Sequence, residues 1–101
     1  MSSFWHSLPK PIFALAPLAD VTDAAFRRII AKHSKVPGGV PYITWTEFVS
    51  ADGLALAPEE GRKKLLADLI YTESERPIVA QFFGSRAENM EKAAHLAREM
   101  G

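Results

Sequence analysis

The chain contains no cysteine, which excludes a disulfide framework, a thiolate metal site and a thiol catalyst from these residues. It also lacks an excess of either charge, with 12 basic and 12 acidic residues balancing to a formal net charge of +0. Bulk electrostatics therefore advertise no polyanion partner, although a local patch or another segment could supply such a field. No apolar run approaches the roughly 18 residues needed to span a bilayer, so no membrane partner is expected. The N-terminus has no apolar signal region, and a cytoplasmic location is the expectation. His6, His33 and His95 are isolated, and no His, Asp and Glu spacing has the form of a metal site. What is present is ordinary: 101 residues, 48% hydrophobic and 24% charged, suit one small globular unit.

Residues 1–11 read as a mobile lead-in ending in Pro9 and Pro11. Ile12 to Ala16 is a short continuous apolar run, the pattern of a parallel strand covered on both faces. Pro17 ends it, because proline fixes φ and has no N–H for a ladder. A helix is expected from about Asp23 to His33, with Asp20 or Thr22 as its cap and Asp23 in the first turn. Its apolar stripe is Phe26, Ile29, Ile30 and a partly buried His33, while Arg27, Arg28 and Lys32 face water. That basic face is a solvated surface or, less simply, a phosphate contact. Residues 36–41 are a proline and glycine breaker, and Tyr42 to Val49 is rich in β-branched and aromatic residues, a second strand.

Ser50 is placed to cap a short turn through Leu54, Pro58 to Gly61 read as a loop, and Leu65 to Tyr71 fit a helical turn or a strand equally. Pro77 to Gly84 form a third strand, and a last helix runs from about Ala87 to Met100. Its stripe is Met90, Ala93, Ala94, Ala97 and Met100, with Ser85 and Glu88 spaced as a capping box and Gly101 closing the helix. Strands alternating with helices predict an α/β fold with a parallel sheet and right-handed crossovers.

Three blocks sharpen this reading: APLADVTDAAFR at residues 16–27, TEFVSADGL at 46–54 and RPIVAQFFGS at 76–85, followed by ENMEKAAHLA at 88–97. In order and spacing they resemble the N-terminal signature of the tRNA-dihydrouridine synthases, flavoenzymes that reduce specific uridines in transfer RNA. The resemblance implies the first three βα units of a (β/α)8 TIM barrel, with residues 12–101 as a partial FMN-binding domain ending before the fourth strand. Such a barrel takes about 250 residues and three strands cannot close it, so an open edge and uncovered apolar faces are expected. The chain is accordingly expected to be the first portion of a longer barrel.

The resemblance assigns roles to a few residues. Pro17, Leu18 and Ala19, just past the first strand, would lie against FMN largely through their backbone. Leu18 stands where methionine is common, a volume-conserving exchange. Asp20 stands where many members have glycine; aspartate tolerates φ > 0 at modest cost. Gln81 interrupts an apolar strand, and its amide either bonds a neighbouring loop or, as the matching block implies, contacts FMN. Glu47 either faces the substrate or forms a rim ion pair. Asp52 and Ser50 are better read as loop-capping groups than as substrate contacts.

For the whole enzyme, the resemblance implies FMN reduced by NADPH, and a uridine of tRNA flipped beside the flavin. Hydride would pass from flavin N5 to uracil C6, and a cysteine acid would protonate C5. That cysteine is expected on a strand after Gly101, so no catalytic residue is assigned within this chain. The phosphate-holding loops and the helical RNA-binding domain are likewise expected elsewhere. The alternatives are another FMN-dependent TIM-barrel oxidoreductase acting on a small molecule, such as a dihydroorotate dehydrogenase-like or ene-reductase-like enzyme, and a non-catalytic half-barrel that merely associates with other chains.

Overall fold

The computed structural model describes residues 4–34 and 42–101. After a 3-10 turn at Phe4–Ser7 come β1 (Phe13–Leu15), α1 (Ala24–Ser34), β2 (Tyr42–Trp45), β3 (Val49–Ser50) and α2 (Ala51–Leu56). They are followed by α3 (Glu59–Ala67), a 3-10 turn at Glu73–Glu75, β4 (Ile78–Val79), β5 (Phe82–Phe83) and α4 (Ala87–Met100). The expected α/β fold with a parallel sheet is present: β1, β2 and β4 lie side by side in that order, both pairs parallel. A second parallel pair joins β3 to β5.

Each of the two longer expected strands is therefore broken into two pieces. Trp45 pairs with Val79 and Val49 with Phe82, so residues 46–48 on one side face only 80–81 on the other. The extra residue is accommodated as a bulge, which interrupts pairing and re-aims side chains. Thr46 bridges the gap, its amide donating to the Val79 carbonyl and its hydroxyl accepting from the Gln81 amide, each at 2.9 Å.

The core sits beside the second pair rather than around β1. Val49, Leu54 and Leu69 are buried there against Leu65, Leu66, Ala80, Phe82, Leu96 and Met100. The Ser50 hydroxyl accepts from the Gly53 amide at 3.0 Å, so the residue that closes β3 also caps α2, as its position suggested. Gly101, at φ 83°, closes α4 with its amide on the Arg98 carbonyl.

Several expectations require correction. Ile12, Phe13 and Ala14 are exposed, because nothing among the described residues covers that part of β1. An open apolar hollow of about 420 Å³ lies there, lined by Phe13, Leu15, Ile30 and Tyr42 among others. Pro58 to Gly61 are not a loop: Pro58 precedes α3, whose first turn carries Glu59 and Glu60 where the helix dipole favours anions. The ambiguous Leu65 to Tyr71 segment ends that helix. Arg86, not Ser85, occupies the N-cap of α4, and no side chain caps it. Within the lead-in, Trp5 approaches Trp45 with ring centroids 6.3 Å apart. The breaker at 36–41 lies outside the described residues.

Candidate functional site

Because β1, β2 and β4 are parallel neighbours, their C-terminal ends share one edge of the sheet. Leu15, Thr44 and Ile78 stand level across it. Leu18, Glu47 and Gln81 each follow three residues past that level, on the side where these strands end. Adjacent strands lie about 4.8 Å apart, which makes the edge a compact row.

The turn after β1 is closed by its own chain. Asp20 adopts φ 64°, the left-handed conformation anticipated for a position where glycine is common. The Leu18 carbonyl accepts from the Val21 and Thr22 amides at 3.0 and 2.9 Å, and the Leu18 amide donates to the Thr22 hydroxyl at 2.9 Å. The cap of α1 is Asp23, whose Oδ1 accepts from the Phe26 amide at 2.8 Å, rather than Asp20 or Thr22. Thr22 is buried and turned back on Leu18. Both backbone groups of Leu18 are thus engaged in the turn, and its side chain is 55% exposed. The Pro17 carbonyl and the Ala19 amide have no hydrogen-bond partner among the described residues.

Gln81 is fixed by its backbone, donating to Thr46 and accepting from the Val49 amide at 2.9 Å. Its side-chain Oε1 is buried without a hydrogen-bond partner, and so is Oε1 of Glu47, which stands in the bulge opposite. Neither residue makes the loop contact or the rim ion pair that sequence left open, among the described residues. A buried acceptor without a donor costs about 1–3 kcal/mol, so two within one break in a sheet are unusual and call for explanation. A bound molecule presenting N–H or O–H donors would satisfy both.

Below this edge lies a network that sequence reasoning missed. Arg27 is fully buried rather than facing water. Its Nε donates to Glu75 Oε1 at 2.7 Å, Nη1 to the Thr22 carbonyl at 2.7 Å and Nη2 to the Ile70 carbonyl at 2.9 Å. Glu75, also fully buried, receives the Thr72 amide and hydroxyl on Oε2, while its carbonyl accepts from the Thr44 hydroxyl at 2.9 Å. With Arg27 inside, Ile29 and His33 are exposed instead of buried, whereas Arg28 and Lys32 do face water. Nothing in the local pattern marks a pair separated by 48 positions. Asn89 is likewise buried and donates to Asp52 Oδ1 at 2.8 Å, so Asp52, in the first turn of α2 rather than in a loop, ties α2 to α4.

Among the described residues, no group of His, Cys, Asp and Glu could hold a metal ion, and no helix is long and apolar enough to cross a membrane.

Comparison with known proteins agrees with the motifs. The family model described as Dihydrouridine synthase (Dus) matches residues 14–101. A probable tRNA-dihydrouridine synthase 2 of Bacillus subtilis (strain 168) is 35% identical over 99 residues, covering 98% of this chain and 28% of the relative. A probable tRNA-dihydrouridine synthase of Staphylococcus aureus (strain COL) is 31% identical over the same shares. The chain thus spans little more than a quarter of the length of these relatives. With nearly all of its described residues inside the matched region, the chain belongs to the dihydrouridine synthase family.

Proposed function

We propose that this chain supplies the flavin-facing part of an enzyme that reduces uridine in tRNA to 5,6-dihydrouridine, with FMN as cofactor and NADPH as reductant. In this reading residues 12–101 are the opening βα units of a TIM barrel whose remaining strands lie outside the chain, and residues 1–11 lead into it. The cytoplasmic setting expected from sequence suits a tRNA substrate.

The observation that carries the proposal is the pair of buried, unpartnered oxygens on Glu47 and Gln81 at the C-terminal edge of a parallel sheet. Ligands bind at that edge in α/β folds. The donor set fits FMN: the ring's imide N–H suits an acceptor such as Gln81 Oε1, and Ala19 offers a free amide. Pro17, Leu18 and Ala19 would form an apolar floor with that one donor, and Gln81 would hold a ring edge. Glu47 would accept a hydrogen bond from the substrate base and orient it. Bound FMN would supply the hydride for the uracil ring. The proton would come from a cysteine acid outside this chain, and this chain by itself is inactive.

The test is a chimera in which residues 1–101 replace the matching segment of the Bacillus subtilis relative. We expect NADPH-dependent dihydrouridine formation in tRNA, lost on Gln81→Ala together with bound flavin. A chimera that folds and binds flavin yet reduces only small molecules would overturn the tRNA assignment. For the isolated chain, FMN affinity is expected to be weaker than micromolar; tighter binding would contradict the half-site reading.

A further inference from the structure

The turn proposed to meet the flavin is held in shape from behind by a buried charge. We propose that Arg27 is a positioning residue for Pro17 to Ala19, acting through Thr22. The proposal rests on the flavin reading only for the turn's purpose; the mechanical link stands on the hydrogen bonds. Arg27 Nη1 fixes the Thr22 carbonyl, the Thr22 amide and hydroxyl fix both backbone groups of Leu18, and Asp20 reverses the chain between them at φ 64°. Glu75 fixes Arg27 in turn, and it stands just before β4, the strand that leads to Gln81. Thr44 of β2 is tied to the same Glu75. One network therefore sets the turn after β1 relative to β2 and to the segment that leads to Gln81.

The planar fork matters here as much as the charge. Arg27 reaches a carboxylate and two carbonyls at once, in directions fixed by the guanidinium plane. A lysine keeps the ion pair but not those directions. A buried pair replaced as a whole by apolar side chains of similar volume often leaves stability unchanged, so position can be separated from folding.

The experiment is amide hydrogen exchange on the chain and on its R27K, R27M/E75M and T22V variants. Leu18 reports the turn, and Val49, which is 1% exposed in the core, reports global opening. We expect Leu18 exchange to accelerate at least about tenfold beyond any acceleration at Val49 in all three variants. A millimolar FMN titration followed by amide shifts at Leu18 and Ala19 should weaken by at least about threefold in R27K. Should Leu18 and Val49 accelerate together, or should Leu18 stay protected in R27K and R27M/E75M, Arg27 has no positioning role. T22V must open Leu18 on its own, since its hydroxyl is the acceptor; protection retained there also overturns the link. An absence of FMN-dependent shifts in the unmodified chain refutes the flavin reading instead, and the exchange comparison still decides the role of Arg27.

Discussion

Replacing Gln81 with methionine should make the isolated chain more stable while removing its response to flavin. The side chain contributes no hydrogen bond among the described residues, and its Oε1 is buried without a donor. Methionine has nearly the same length and no acceptor to desolvate, and both backbone hydrogen bonds of residue 81 survive the change. Leaving an acceptor buried and unpaired costs about 1–3 kcal/mol. Some of the gain is returned by an imperfect fit in the bulge, which leaves a net stabilisation of about 1–2 kcal/mol. In a domain of this size each kcal/mol moves the melting temperature by roughly 4–8 °C. Urea unfolding followed by circular dichroism should give a higher midpoint with an unchanged slope. FMN-induced amide shifts should disappear in the same variant. A Gln81→Met chain that is less stable than the original would refute the reasoning, because the oxygen would then be satisfied within the chain and not reserved for a ligand.

Arg27→Met alone should cost about 3–5 kcal/mol by stranding the buried Glu75 carboxylate, while R27M/E75M should recover most of that loss in a double-mutant thermal melt. Ser50→Ala should cost about 1 kcal/mol through loss of the α2 cap, read as a lower urea midpoint. Burial raises the Tyr42 phenol above its ordinary value of 10.0, against a smaller lowering by the Ser34 hydrogen bond. The folded chain then keeps a proton that the unfolded chain has already released. Its stabilising contribution is complete below about pH 10 and is lost as pH rises further. Melting temperatures measured from pH 8 to 11.5 should fall less steeply for Tyr42→Phe than for the original chain.

How much of this was legible beforehand depended on whether the cause was local. The span of α4, though not its cap, the turn at Asp20 and the cap at Ser50 follow from spacing and backbone preference within a few residues, and were readable. So was the parallel sheet that brings the C-terminal ends of β1, β2 and β4 to one edge. The bulge was not, since Thr46 to Phe48 look like uninterrupted strand until they are laid against their shorter partner. Arg27 misled for a related reason. By helical spacing it shares a face with Ile30 and Ala31, but its charge argues for water, and only Glu75, far along the chain, makes burial favourable. Pro58 to Gly61 look like a loop, whereas proline at the entrance of a helix removes no hydrogen bond.

The mismatch between residues 46–48 and 80–81 bears on how this segment tolerates changes in length. A stretch without regular pairing, joining two short strands, resembles a place where a residue could be gained or lost freely. Here a single deletion would let the ladder run straight from Trp45 and Val79 into the second pair. Val49 would still meet Phe82, but with equal lengths on the two sides the bulge and the local bend it imposes would be lost. The side chains between Trp45 and Val49 would fall into regular alternation, and the buried oxygens of Glu47 and Gln81 would no longer be set by a break in the pairing. The irregular segment thus acts as a spacer of fixed length, and its sequence should prove freer to vary than its residue count.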